Sequence, residues 1–146
     1  MESYQTRMIM TLLVVCIGAF PCRSAPGARP SSVSLCDLLS APQRYDNRIV
    51  ATKALLRSSE HEVHVFDDEC RSTTTDDRSA FIELPSGLRS TKLGERLSKI
   101  LRRDRTARVA LEVAFYGNGG PYGQEKTRFR FVLQRLISVE EVPKRE

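Results

Sequence analysis

At 146 residues the chain is long enough for one domain and too short for two ordinary ones. Its 40% hydrophobic content excludes wholesale disorder. A net charge of +5, from 23 basic and 18 acidic side chains, is too mild to demand nucleic acid, and two His and four Cys leave little material for a metal centre or a His-based catalyst.

Residues 1–24 read as a secretory signal peptide. Met1 to Arg7 is polar and ends in a cation, Met8 to Phe20 is an uncharged run of 13 residues, and Pro21-Cys22-Arg23-Ser24 follows. The run is short of the roughly 20 residues that a membrane-spanning helix needs. A buried N-terminal helix is the alternative; the run is apolar all round and abuts Pro21, which argues against it. Lipidation is disfavoured because Cys16 follows Val15 and Cys22 follows Pro21, where a small residue is required. Cleavage is expected after Ser24, with Ala19 as a competing position. It leaves 122 residues, a charge of +4 once Arg7, Arg23 and Glu2 are gone, and no transmembrane segment in the mature chain. Cys16 and Cys22 leave with the signal. Cys36 and Cys70 remain, an even pair in an exported protein, and are expected to form a disulfide. Two buried free thiols are the alternative; without a C-x-x-C spacing, zinc is disfavoured.

Ala25 to Ser32 (APGARPSS) is a linker by composition, and the domain is expected over residues 33–142. Ser34 is placed to cap a short helix, with Asp37 in its first turn and Leu35, Leu38 and Leu39 on one side. That helix should stop near Ala41, because Pro42 disfavours helical geometry before it. Tyr45-Asp46-Asn47 reads as a turn. Three strands are predicted next by period-two alternation: Arg48 to Arg57 with Val50, Thr52, Ala54 and Leu56 inward, Glu62 to Phe66, and Ala80 to Leu84. A polar loop over 67–79 carries Cys70. Gly94 to Asp104 is predicted helical, with an apolar stripe of Leu93, Leu97, Ile100 and Leu101. Arg108 to Tyr116 and Arg128 to Glu140 are the last two strands, separated by the Gly-rich loop from Gly117 to Lys126. A bulge near Gln134 is expected to let both Leu136 and Ile137 find cover.

Five strands with one amphipathic helix between the third and fourth is the order of an OB-fold, a small, mainly β, partly open Greek-key barrel, here preceded by a short N-terminal helix. A two-layer α+β sheet and a β-sandwich are the alternatives; a sandwich usually carries about seven strands. The run Ser34-Leu35-Cys36-Asp37-Leu38-Leu39, then Pro42, Tyr45-Asp46 and Val50, resembles small exported bacterial OB-fold-like proteins. These often begin with a Cys-x-Leu-Leu helix and a Tyr-Asp-Gly turn. Gly117 to Gly123 followed by Arg-Phe-Arg-Phe is similar to their last hairpin. The resemblance covers roughly residues 33–142 and implies a fold and an envelope location, with no active residue to carry over. Asn47 departs from the usual Gly, but Asn also tolerates left-handed geometry.

Sites of chemistry are few. His61, His64, Cys70 and Asp67 or Asp68 could be drawn as a metal site, but a bridged Cys70 removes the thiolate. The acidic group Asp67, Asp68, Glu69, Asp76 and Asp77 does not match an EF-hand loop. Gly117-Asn118-Gly119-Gly120 could form an anion nest, yet Pro121 follows where a helix would be needed. Glu83 and Glu112 are ordinary outward strand residues. Arg102, Arg103 and Arg105 suit the C-terminus of a helix. No catalytic motif, metal or cofactor is expected. The best candidate for ligand binding is the surface formed by Tyr116, Tyr122, Arg128 and Arg130, the two arginines alternating with Phe129 and Phe131. The function expected is therefore non-enzymatic: an exported, periplasmic or extracellular OB-fold-like binding or structural module that contacts an envelope glycan, lipid headgroup or protein. A single-stranded nucleic-acid binder is the alternative, disfavoured by the lack of Trp and by export. A hydrolase with a loop-built site is the third reading.

Overall fold

The computed structural model describes residues 29–60, 62–70 and 79–143, and the predicted signal segment lies outside them. Two short helices, α1 (Leu35–Ser40) and α2 (Pro42–Tyr45), follow a two-residue strand, β1 (Ser31–Ser32). Then come β2 (Arg48–Ser58), β3 (Val63–Phe66), β4 (Ser79–Glu83), a 3-10 turn (Ser86–Ser90), α3 (Lys92–Leu101), β5 (Ala107–Tyr116) and β6 (Arg130–Glu141). The sheet runs β1-β2-β3-β4-β6-β5, and β5 pairs back onto β2. Five strands thus close a mixed β-barrel with the OB-fold order, as the sequence predicts. The β4–β6 seam is parallel, and β1 adds to β2 in parallel as well. β1 uses two residues of the stretch that reads as a linker, and the Val33 amide extends the pairing by donating to the Ala51 carbonyl at 2.9 Å.

Alternation decides what lies inside. Val50, Thr52, Ala54 and Leu56 of β2 are buried, as are Val109, Leu111, Val113 and Phe115 of β5. Phe129, Phe131 and Leu133 complete the set, with Phe115 packing 5.1 Å from Phe131 and 6.0 Å from Phe129 between ring centres. In β6 the ladder slips twice, skipping Gln134 and then Ile137 against β5. The first slip is the expected bulge. The second corrects the expectation for Ile137: as the extra residue of a bulge it turns outward and is 45% exposed, while Leu136 packs on the core.

The barrel helix also differs in its limits. It spans Lys92–Leu101 because the Thr91 hydroxyl caps it, accepting from the Gly94 amide at 3.0 Å. Arg103 and Asp104 then donate to Ile100 and Leu101 in a tightening turn, and Asp104 takes φ 53, so Arg103 and Arg105 lie beyond the helix. Leu97 and Ile100 are buried against the barrel, with Leu93 and Leu101 half-buried beside them. Gly94 sits where α3 crosses the 3-10 turn; a Cβ there would come 2.6 Å from the Leu88 carbonyl carbon, so no larger residue fits without displacing backbone.

α1 forms as its sequence predicts. Ser34 accepts from the Asp37 amide at 3.0 Å, and Leu35, Leu38 and Leu39 are buried. Ala41 breaks the helix and Pro42 opens α2, a turn that the sequence reading takes as loop. Asn47 adopts φ 57, the left-handed geometry that Gly would otherwise supply. Cys36 and Cys70 form a disulfide with a Cα–Cα distance of 5.2 Å, joining α1 to the segment after β3.

Candidate functional site

Cross-strand register assembles the site. On the outer face, Arg57 of β2 pairs with His64 of β3, His64 with Phe81 of β4, Phe81 with Arg130 of β6, and Arg130 with Tyr116 of β5. Five strands of the barrel therefore present one row in the order Arg57, His64, Phe81, Arg130 and Tyr116, with two basic side chains at one end and a guanidinium between two rings at the other. In a pleated sheet such directly opposed residues touch one another and share a face. The Arg130 guanidinium lies 4.9 Å from the Tyr116 ring centre and 5.9 Å from that of Tyr122, and reaches the Glu83 carboxylate at 3.4 Å. Its Nε is buried without a hydrogen-bond partner. Arg57 lies over Phe66 at 5.2 Å, next to the row.

Three anchors fold the β5–β6 loop against this face. At its start, the Asp46 carboxylate accepts from the Gly117 amide at 2.7 Å, the Asn118 amide at 3.3 Å and the Asn118 side-chain amide at 2.9 Å. The Asn118 side chain and the Gly117 amide, in that order, hold the Asp46 carboxyl below its ordinary value. Near its tip, the buried Glu62 carboxylate accepts from the amides of Gln124 and Glu125. Gly123 permits that approach: it takes φ 70, and a Cβ there would meet the Glu62 oxygens at 2.5 Å. At its end, Thr127 bridges to Tyr122 through backbone, and its hydroxyl accepts from the Phe81 amide at 3.2 Å. The Phe81 amide also donates to the Phe129 carbonyl at 3.0 Å, and regular β6 starts at Arg130 rather than at Arg128.

Because Asp46 is favoured in its charged form by the fold, its contribution to stability is complete above the ordinary carboxylate value and is lost as pH falls through its lowered native value. Asp46→Asn is accordingly expected to melt below the wild type at neutral pH, with the gap closing as the pH falls below the ordinary carboxylate range. Paired thermal melts at neutral and acid pH check this; a gap that persists in acid would remove Asp46 as its cause.

Of the four residues predicted to bind ligand, the fold brings Tyr116, Tyr122 and Arg130 into one stack. Arg128 stands apart, exposed, over the Phe129 ring at 5.2 Å. Tyr122 is fixed further by its hydroxyl, which donates to the Asn118 carbonyl. Sequence reasoning does not find Arg57, His64, Phe81 or the partner role of Glu83, since only the non-local β3–β4 and β4–β6 pairings put them there. Glu112 is likewise engaged, by Arg135.

His64 Nε2 lies 3.1 Å from the Glu125 carboxylate and 3.4 Å from the Ser59 hydroxyl. A hydrolytic triad needs its acid and its nucleophile on opposite ring nitrogens; here one nitrogen faces both, which suits holding the loop down. Cys36, Cys70 and Asp67 lie close together, but both sulfurs are spent in the disulfide. Asp67 instead accepts from the Glu69 amide at 2.9 Å. His61, Asp76 and Asp77 lie outside the described residues. Among the described residues no helix is long and apolar enough to cross a membrane.

No family model matches the chain. No curated protein matches it either. Among solved structures it is similar to a chain described as an aspartyl-tRNA synthetase from Leishmania major Friedlin, with a TM-score of 0.43 and 12% identity, over 88% of this chain and 24% of that one. The chain thus spans about a quarter of that protein's length. At this distance the likeness carries no argument about function, and the fold rests on the strand pairing described above.

Proposed function

We propose that this chain is an exported, non-enzymatic OB-fold-like binding module of the cell envelope whose outer barrel face takes an acidic glycan. The observation that carries the reading is the row of basic and aromatic side chains from Arg57 to Tyr116, with Tyr122 stacked onto Arg130. OB-folds use this strand face and the adjoining loops for oligosaccharides and oligonucleotides. Rings offer flat contact area, and the arginines of the row offer charge-assisted bonds to carboxylates. Charge balance favours a sparsely charged polymer over a polyphosphate. Glu83 and Glu125 stand beside Arg130 and His64, so the face lacks the continuous cationic groove that tracks a nucleic-acid backbone. Export is supported by the signal-like N-terminus and by the Cys36–Cys70 disulfide, a bond typical of oxidising compartments. The resemblance to small exported OB-fold-like proteins points the same way.

Titration with an oligouronate, a neutral oligoglucan and oligo(dT) tests the reading. The oligouronate is expected to bind, and Arg57→Glu with Arg130→Glu to weaken it by about tenfold or more, the scale of one charged hydrogen bond lost. A double variant that binds like the wild type would remove this face. Preferred binding of oligo(dT), falling steeply with salt, would replace the glycan by a single-stranded nucleic acid.

A further inference from the structure

A groove adjoins the end of the row, one register pair on from Arg57 and His64, and shares no residue with it. The groove has a volume of about 490 Å3 and lies between the β2–β3 hairpin, the 3-10 turn and α3. Its apolar side is made by Val63 from the hairpin, Leu84 and Leu88 around the turn, and Leu97 and Leu101 from α3. Val63, Leu84, Leu88 and Leu101 are only half-buried, so each packs on the core and leaves a side to the groove. Ser58, Ser86 and Ser98 add hydroxyls, and Arg89 and Arg102, both exposed, add the charge; the lining holds no carboxylate.

We propose that this groove binds a fatty-acid carboxylate, the alkyl chain lying among the leucines and the carboxylate meeting Arg89 and Arg102. The volume falls within the roughly 300–1,000 Å3 of small-molecule sites. The division of the lining carries the choice of ligand. An uncharged hydrocarbon would leave the arginines unused, and a cationic amphiphile would be repelled. Among the described residues neither arginine has an ion-pair partner. Glu95 is bonded to Lys99 at 2.8 Å and feels Arg102 only as its weakest influence. Two guanidinium groups beside an apolar trough fit a head that is planar and anionic on a tail that is aliphatic. The turn and helix that form the trough meet at Gly94 and Leu88, where the absence of a Cβ lets the two backbones touch.

The test is calorimetric titration of the purified chain with decanoate below its micellar concentration, with decyltrimethylammonium and butyrate as the other probes. Decanoate is expected to bind about tenfold or more tightly than either, since one probe lacks the anion and the other most of the chain. Arg89→Ala with Arg102→Ala is expected to weaken decanoate by about tenfold or more, with the thermal melt unchanged because both side chains are exposed. Leu88 and Leu101 methyl resonances should shift on saturation. Equal binding of the cationic probe, absence of decanoate binding, or decanoate affinity indifferent to the arginine pair would each overturn the assignment. The row variants Arg57→Glu and Arg130→Glu leave this groove intact, so failure of either site is read independently of the other.

Discussion

Phe115→Ala is expected to destabilise the barrel by about 3–5 kcal/mol, the range for truncating a buried aromatic ring. Phe115 is fully buried where β5 meets β6 and stacks against both Phe129 and Phe131. Removing it leaves two rings facing a void that Arg48, its ladder partner on β2, cannot fill without burying charge. Domains of this size have about 5–15 kcal/mol in total, so the variant should sit close to unfolding at ordinary temperature. Equilibrium urea titration measures the loss as a lowered midpoint at constant slope. Ile49→Ala is the control: Ile49 is 55% exposed on the outer face, and its truncation should change stability by no more than about 0.5 kcal/mol. A Phe115 loss no larger than that of Ile49 would mean that the three rings are not the centre of the core.

Removal of the disulfide by Cys36→Ala with Cys70→Ala is expected to cost about 3–4 kcal/mol by the chain-entropy argument for a loop of this length. The two cysteines are 34 residues apart, and that loop contains all of β2 and β3. The effect should be strong locally because α1 has six residues, too few to hold a helix by itself. Three leucines and one covalent bond keep it docked. Denaturant midpoints for the double variant and for the wild type under reductant should coincide, both below the oxidised protein. Unchanged midpoints would show that Leu35, Leu38 and Leu39 suffice without the bridge.

The barrel was legible because its strands alternate cleanly. Val109, Leu111, Val113 and Phe115 leave one reading of β5, and the apolar stripe through Leu97 and Ile100 leaves one of α3. Ser34 announces α1 by its hydroxyl, and the even pair of cysteines announces the disulfide. What escaped was set by contacts distant in sequence. Thr91 became the cap of α3 because the 3-10 turn before it delivers the chain there, and that turn has no hydrophobic period to reveal it. Ile137 turned outward because a second slip follows the first, and slips are decided by the partner strand. Within the site, Tyr116, Tyr122 and Arg130 were visible as a local pattern around one loop. Phe81 and His64 were not, because residues 46 or more positions from Thr127 and Arg130 come beside them only when the parallel seam closes.

The strand pairings are unequal around the barrel. β5 pairs with β2 over nine residues and with β6 over ten, whereas β4 is joined by three pairs to β3 and by three to β6. Opening costs least where the fewest ladder bonds and buried contacts must be broken. The protein is therefore a stiff three-stranded wall with a lightly stitched panel, and the panel carries Phe81 and Glu83. Hydrogen exchange is accordingly expected to reach the β4 amides before those of β5.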